Sequence, residues 1–468
     1  MVRALPTICL PPNRRECVPA SFFWVFLSLQ LALVIILALL GIKYVLLILI
    51  GVGALSVCFA GRLPAILLLI AVSPVVFLQD ISPAAIRAGK WAFVIVLVLT
   101  WFLGKILRGE KIFVPRTSVN FFVICMLSWG ALISLYALNP VESLLNLLRL
   151  LSLFGLFYLF ADVLRDRQDI LKTVGVWVTV GVLVSLTGMY QYRLSMIRYG
   201  GGRVAATFEN PNALGIFLFL LLPVVLSLFF LRREALKRLG LGITLLLLLL
   251  CLLWTGSRSS WLAAYVALVS FGFIAKKRYL VVPLVVLGAL LGIVLSSSLL
   301  SGGLYDLLRF GRGFAFRPIL WGISWRIFLD HPLLGVGFGG IPTLFQSYYP
   351  VSALPLYKIL APAAVSSHNL FLQIGAEMGV LGILFVVGFF VAYFLEVRGA
   401  LRRVQDEQYR AILMALLATI PALFVHSFFE LSAIIGAGSY TVFFWLSAAL
   451  FQAIKRIQSQ EATTEKMA

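Results

Sequence analysis

An arginine and a histidine beside long apolar runs are the residues best suited to chemistry in this chain. Arg258 lies in the segment TGSRSS (255–260), and His368 lies in the segment SSHN (366–369). A guanidinium can bind two phosphate oxygens at once, and a neutral imidazole can accept a proton at working pH. The two segments therefore indicate an anionic substrate and a proton transfer. The alternatives are an arginine that extends to lipid headgroups and a histidine that caps a helix.

A second group of polar residues lies in the predicted external loop 193–212. The segments GGGR (200–203) and TFENPN (207–212) allow a backbone to approach a ligand closely, with Arg203 beside it. The Asn-Pro-Asn step predicts a turn and then a helix, and Asn212 is predicted to be the N-cap. Asn210 precedes Pro211 in this step. The alternative is a capped turn without a functional role.

Carboxylates and a second histidine complete the candidate set. Asn369 or Ser367 is expected to orient His368. Glu377 is nine residues beyond His368, about 13 Å deeper along a helix, and is expected to pair with an outer arginine. His426 and Glu430 form an i, i+4 pair on one helix face and provide a rival acid–base pair. Their alternative role is that of polar residues at a membrane interface.

The longest polar stretch, 300–368, carries a concentration of positive charge. It is predicted to contain a short surface helix over 317–330 and a glycine-rich turn over 331–340. A basic funnel for an anionic substrate is the functional interpretation, and contact with anionic lipid headgroups is the alternative. The arginines of this stretch are Arg309, Arg312, Arg317 and Arg326.

The composition predicts an all-α polytopic membrane protein. Of 468 residues, 62% are hydrophobic and 12% are charged, with mean hydropathy +1.05. Soluble proteins have about 25% charged residues. About twelve to fourteen apolar segments can span a membrane. They are 21–41, 44–60, 64–78, 91–104, 119–137, 143–160, 170–190, 213–231, 240–254, 260–275, 279–299, 369–395, 409–426 and 434–454.

The positive charges alternate between the two sides of this predicted bundle. With the N-terminus in the cytoplasm, 25 of the 38 Lys and Arg residues fall on the cytoplasmic side, as membrane topology requires. The same pattern explains the net charge of +20 without nucleic-acid binding. Both termini are then cytoplasmic and the candidate residues external. We expect one membrane domain over 1–468, with its catalytic core at 200–380 and a long periplasmic loop at 300–368.

These motifs together resemble the O-antigen ligase and O-antigen polymerase superfamily of bacterial membrane glycosyltransferases. The resemblance runs in family order over about residues 200–380, and the hydrophobic architecture extends it to most of the chain. Each motif alone is weak, whereas five in order are fairly specific for the superfamily. The motifs are TFENPN (207–212), TGSR (255–258), a helix with Arg317 and Trp321, HPLLGVG (331–337), and SHN (367–369) followed by EMG (377–379).

The resemblance implies a GT-C-like fold and a specific chemistry. The donor is a glycan on undecaprenyl diphosphate, and the acceptor is a sugar hydroxyl of lipid A–core or another glycolipid. The site faces the periplasm of the bacterial inner membrane. By position, Arg258 and Arg317 resemble the diphosphate-binding arginines, Arg312 competes with Arg317, and His368 resembles the catalytic base. No cofactor, metal or nucleotide sugar is implied, and inversion of the anomeric carbon is expected.

Two other functions remain open at this point. An O-antigen polymerase shares the donor and the chemistry, and it differs from a ligase only in its acceptor. A transporter of lipid-linked oligosaccharides would also need a cationic cavity. Transporters usually place their ionisable residues near the bilayer midplane, whereas here the charges lie at one predicted outer surface.

Overall fold

The computed structural model describes residues 62–74, 83–107, 109–110, 114, 117–199, 202–296, 317–349, 366–431, 434–435 and 438–467. Within these ranges the chain forms fourteen helices and no strand. In chain order they are α1 (Arg62–Val72), α2 (Pro83–Leu107), α3 (Ser118–Ser134), α4 (Pro140–Val163), α5 (Arg167–Tyr199), α6 (Pro211–Leu231), α7 (Ala235–Trp254), α8 (Arg258–Ile274), α9 (Arg278–Ser296), α10 (Arg317–Asp330), α11 (Ile341–Leu344), α12 (Leu370–Arg403), α13 (Glu407–His426) and α14 (Thr441–Met467).

The helices confirm the prediction of an all-α polytopic membrane protein. Six of them are long and apolar enough to cross a membrane, namely α4, α5, α6, α7, α12 and α13. Shorter apolar helices occur within α1, α2, α3 and α8. The short helices α10 and α11 lie between α9 and α12, where the sequence predicted short helices in a long loop. The predicted spans 21–41 and 44–60 lie outside the described residues.

Helix α5 corrects one predicted boundary. The sequence placed a loop over 193–212, but α5 continues to Tyr199. Arg193 and Arg198 are therefore helical. The apolar window ended near residue 190 because the following residues are mixed in polarity. A helix that continues beyond an apolar segment keeps its backbone hydrogen bonds and needs no further apolar side chains.

Helix α6 forms the centre of the bundle. Every residue from Ala213 to Ser227 is buried, and α6 packs against α7, α8 and α13. A helix that is apolar on all sides is stable only when other helices surround it. Helix α8 also packs closely against α13, with a buried stripe of small residues that lets the two backbones approach. The stripe consists of Ser259, Ser260, Ala263, Ala264 and Ala267.

Polar contacts mark the two ends of the bundle. We call the end at which α6, α8 and α12 begin the upper end, and the other the lower end. At the lower end the buried Lys105 Nζ lies 2.7 Å from Asp162 Oδ1 and joins α2 to α4. Arg167 also lies 3.2 Å from Asp406 there, and α13 begins immediately after Asp406. Helix α13 has 20 residues, so the two ends are about 30 Å apart.

A break in α12 holds the glycine-rich turn that follows α10. Gly379 has φ +68° and ψ −168°, which interrupts the helix and leaves nearby carbonyl groups without helical partners. The turn supplies those partners. Val336 N donates to Ala376 O at 3.0 Å, and Gly337 N donates to Glu377 O at 3.1 Å. The motifs HPLLGVG and EMG, 40 residues apart, therefore bind each other.

Alanine at position 379 should destabilise the protein. A Cβ there would lie 2.1 Å from the carbonyl oxygen of Leu333, and the positive φ disfavours any side chain. We expect Gly379→Ala to lower the free energy of unfolding by about 2–4 kcal/mol. Thermal unfolding in detergent measures this effect. The control is Gly175→Ala in α5, where a Cβ meets nothing within 4 Å. Equal melting temperatures for the two variants would contradict a structural role for the break.

Candidate active site

The upper end of the bundle contains an open cavity of about 170 Å³. It lies where the start of α6, the residues before α12 and the segment between α13 and α14 meet. Amide, carboxylate, guanidinium and imidazole groups make its wall polar. Its lining residues are Arg203, Asn210, Pro211, Asn212, Ala213, Ile216, His368, Glu430 and Tyr440.

The carboxylate of Glu430 joins three elements of this site. Its Oε1 accepts hydrogen bonds from Arg317 Nη2 at 2.7 Å and Asn212 Nδ2 at 2.7 Å. Its Oε2 lies 2.8 Å from Nδ1 of His368. Glu430 is only 7% exposed. Hydrogen bonds that involve a charged group are shorter and stronger than neutral ones, so this buried carboxylate fixes both the Arg317 guanidinium and the His368 imidazole.

The charge state of Glu430 follows from these contacts. Burial acts to raise the pKa of its carboxyl group, but the hydrogen bond from His368 and the electrostatic attraction of His368 and Arg317 outweigh burial. The pKa of Glu430 is therefore below its usual value. Because the pKa of Glu430 is lower in the folded protein than in the unfolded chain, its contacts add stability at pH values above the unfolded carboxyl pKa, about 4.3. This stability is lost as the pH falls through the lower pKa of the folded protein. At neutral pH, which is above both pKa values, Glu430 is ionised.

The backbone around His368 aims the imidazole at Glu430. His368 has φ +51°, a left-handed conformation that few residues other than glycine adopt. Hydrogen bonds on both sides hold it. Ser367 N donates to Gln373 Oε1 at 2.8 Å, and Leu370 N donates to Ser427 O at 2.8 Å. The second bond ties the start of α12 to the segment that carries Glu430.

The prediction that Asn369 or Ser367 orients the imidazole is wrong. The side chain of Asn369 accepts a hydrogen bond from Leu372 N and caps α12, and Ser367 Oγ donates to the Asn369 carbonyl. Both side chains are committed to the backbone. Glu430 orients the ring instead. Because Nδ1 faces the carboxylate, Nε2 is the ring nitrogen that can accept a proton.

The N-cap of α6 is Asn210, and the prediction of Asn212 is wrong. Asn210 Oδ1 accepts from Ala213 N at 2.9 Å. Pro211 takes the first helical position because it has a fixed φ and no N–H group to satisfy. Asn212 is therefore inside the first turn, where its side chain bonds Glu430. Its Oδ1 also accepts from Arg203 Nη2 at 2.6 Å, which places Arg203 in the same network.

Arg203 and Arg258 flank one turn between α7 and α8. Arg203 Nε donates to Thr255 O at 2.8 Å and packs over Gly256, whose φ is +57°. Gly256 follows Thr255, the C-cap residue of α7. Arg258 is the first residue of α8, and it is not among the residues that line the cavity. Ser257 occupies the N-cap position, but its hydroxyl bonds those of Ser259 and Ser260 instead of capping.

Glu377 and His426 are not among the residues that line the cavity. The Glu377 carboxylate accepts from Gln373 Nε2 at 2.6 Å and from the backbone of Gly339 and Ile341. Within the described residues, these groups take the place of the arginine that the sequence predicted. His426 is 1% exposed, and its carbonyl accepts from Glu430 N at 3.1 Å. Glu430 thus belongs to the His368 site and does not form a rival pair with His426.

Two residues near the cavity were not predicted from the sequence. Tyr440 lines the cavity, and Glu209 Oε1 accepts from Ser439 N at 3.0 Å, which ties the α5–α6 segment to the start of α14. Tyr440 lies inside the predicted apolar segment 434–454, so the sequence carried no signal for it. Arg312 and Arg309 lie outside the described residues. No group of three or more potential metal ligands occurs within the residues that the structure describes.

Comparison with known families agrees with this arrangement. Residues 243–387 match the family model described as O-antigen ligase. The match includes Arg258, Arg317 and His368 and ends before Glu430. It confirms the predicted relation to the O-antigen ligase and O-antigen polymerase superfamily. At a coarse level it also supports an enzyme of the membrane glycosyltransferase class. No curated protein matches the chain.

Loss of the α6 cap should lower stability in a specific way. Asn210→Ala removes the acceptor for Ala213 N, so we expect the free energy of unfolding to fall by about 1 kcal/mol. Asn210→Asp keeps an acceptor and should retain most of the stability. Melting temperatures of the purified variants measure both effects. A stable alanine variant together with an unstable aspartate variant would contradict the cap assignment.

Proposed function

We propose that this protein is an O-antigen ligase-type glycosyltransferase. It transfers a glycan from undecaprenyl diphosphate to a sugar hydroxyl of lipid A–core or a similar acceptor. The observation that carries the proposal is the convergence of His368 and Arg317 on Glu430 beside a polar cavity. One site thereby combines a proton acceptor with a phosphate-binding group. The family match over 243–387 supports the same class of reaction.

His368 acts as the general base in this proposal. Its Nδ1 is held by Glu430, so Nε2 takes the proton from the acceptor hydroxyl. The hydroxyl oxygen forms a bond to the anomeric carbon while the bond from that carbon to the diphosphate oxygen breaks. A single displacement inverts the carbon and forms no covalent enzyme intermediate. Glu430 is a positioning residue, because it acts through the imidazole.

The arginines stabilise the diphosphate as it leaves. Negative charge develops on the leaving group in the transition state, and fixed cations at that point lower the barrier. Arg317 is joined to the base through Glu430, since both bind this carboxylate. Arg258, Arg203 and Arg312 are the further diphosphate-binding candidates. They make the reaction metal-independent because they provide the positive charge that a metal supplies in other glycosyltransferases.

The proposed location is the bacterial inner membrane, with both termini cytoplasmic and the site periplasmic. The clustering of basic residues at the lower end supports this orientation. The basic residues there include Arg232, Arg233, Lys237, Arg238, Lys276, Lys277, Arg278, Arg402 and Arg403. The partners are then the lipid-linked donor, the glycolipid acceptor and the surrounding lipids. Transport of lipid-linked oligosaccharides is less well supported, because the site is at one end of the bundle.

Removal of His368 tests the base directly. We expect His368→Ala to lower the transfer rate by about 10²–10⁴-fold, because the acceptor proton loses its acceptor. The variant should still bind the lipid-linked donor. The matched control is His331→Ala, since His331 is exposed in the turn after α10. The measurements are transfer of a purified lipid-linked glycan and donor binding in detergent. Full activity of His368→Ala would refute the catalytic role.

The surface glycans of a strain without this protein distinguish a ligase from a polymerase. Loss of a ligase should leave long polymer on undecaprenyl diphosphate and an unmodified final acceptor. Loss of a polymerase should leave a single repeat unit on the acceptor and no long chains. Gel electrophoresis and mass spectrometry of both glycan pools provide the measurement. The second result would replace the ligase by the polymerase and keep the chemistry of the site.

A further inference from the structure

Arg317 and His368 share one counter-ion in this structure. Glu430 Oε1 lies 2.7 Å from Arg317 Nη2, and Glu430 Oε2 lies 2.8 Å from His368 Nδ1. A carboxylate that carries one negative charge thus bonds both the Arg317 guanidinium and the His368 imidazole, and Asn212 donates to it as well. Each partner withdraws electron density from the carboxylate. The hydrogen bond from His368 is therefore weaker than it would be with Glu430 alone.

A bound diphosphate would change this balance. Arg317 is the first residue of α10, so it lies at the positive end of a helix dipole, which attracts anions. Its side chain is 21% exposed, whereas that of Glu430 is 10% exposed, so the guanidinium is more accessible to a ligand than the carboxylate that it bonds. A diphosphate carries more negative charge than a carboxylate and binds a guanidinium through two oxygens. It therefore competes with Glu430 for Arg317.

We propose that the donor diphosphate takes Arg317 from Glu430, so that Glu430 serves His368 alone and strengthens the base only when donor is bound. The inference rests on the proposed function and adds a coupling between its two parts. The leaving-group site and the base then communicate through one carboxylate. Asn212 keeps that carboxylate in place through its bond to Oε1 during the exchange.

The other ionisable groups around Glu430 define the electrostatic background. His426 faces it from the end of α13, but its Nε2 makes no hydrogen bond with the described residues. Arg203 acts through Asn212, and Tyr440 and Glu209 interact with each other across the start of α14. Within the described residues, none of these groups forms a hydrogen bond or ion pair with Arg317, so the exchange breaks none of their contacts. The exchange therefore predicts a change in the proton affinity of His368, and this change depends on both Arg317 and Glu430.

Titration of His368 by NMR in the full chain in nanodiscs tests the coupling. The protein has three histidines, so labelled imidazole signals can be assigned with His331→Gln and His426→Gln. The probe is undecaprenyl diphosphate without a glycan, whose binding is measured separately. In the unsubstituted protein we expect the probe to raise the proton affinity of His368 about tenfold, one pH unit. In Glu430→Gln the rise in the proton affinity of His368 should be clearly smaller, because this variant has no carboxylate that the probe could release from Arg317.

Substitution of Arg317 should imitate the probe. We expect Arg317→Gln to raise the proton affinity of His368 without any ligand, and to do so much less when Glu430→Gln is also present. Arg326→Gln is the matched control, since it removes the same charge from an exposed position of α10. If Glu430→Gln does not fold, the Arg317→Gln protein alone decides. It should start at the higher proton affinity and respond little to the probe.

The outcomes separate this inference from the proposed function. If the probe raised the proton affinity of His368 equally in the unsubstituted protein and in Glu430→Gln, the exchange would be overturned. So would an equal rise in the unsubstituted protein and in Arg317→Gln, or the absence of any rise when the probe is bound. Each of these results leaves the base intact if His368→Ala is inactive. A fully active His368→Ala protein would overturn the proposed function whatever the titration shows.

Discussion

The buried carboxylate of Glu430 is the interaction on which the rest of the site depends. It bonds the start of α10 through Arg317, the start of α6 through Asn212 and the residue before the α12 cap through His368. A buried carboxylate without partners would be costly, and so would the Arg317 guanidinium without its carboxylate. The three elements therefore hold one another in position. The bond from Leu370 N to Ser427 O keeps the segment that carries Glu430 beside the histidine.

The bundle below provides the rigidity that this network needs. The buried central helix α6 begins with the cap and the proline that place Asn212. The small residues of α8 bring the first turn of α8 close to α6 and α13. Gly215 in α6 takes part in this packing, because a Cβ there would lie 2.3 Å from Ser260 Oγ. At the other side, the broken helix α12 anchors the turn after α10. Arg317 thus stands at the start of α10 and His368 two residues before α12, so the packing of these helices fixes both groups.

The sequence predicted the fold and the residues of the site, but it predicted the contacts between those residues less well. Apolar windows located α6 and α13 to within two residues, because burial in lipid or protein demands continuous apolar segments. They missed the extension of α5, since helices beyond the membrane carry no such signal. The cap of α6 was predictable from Pro211, whose preference for the first helical position points to Asn210. The partner of His368 was not predictable, because Glu430 is 62 residues away and only the packing of α12 against α13 brings the two together.

The family match ends at residue 387, whereas the carboxylate at the centre of the site lies at 430 and the amide beside it at 212. The matched segment therefore contains the histidine and Arg317 but not the group that joins them. A segment limited to 243–387 would lack both the carboxylate and the amide that hold these side chains. The site is therefore discontinuous in the sequence, and it is complete only when helices before and after the matched segment pack around it.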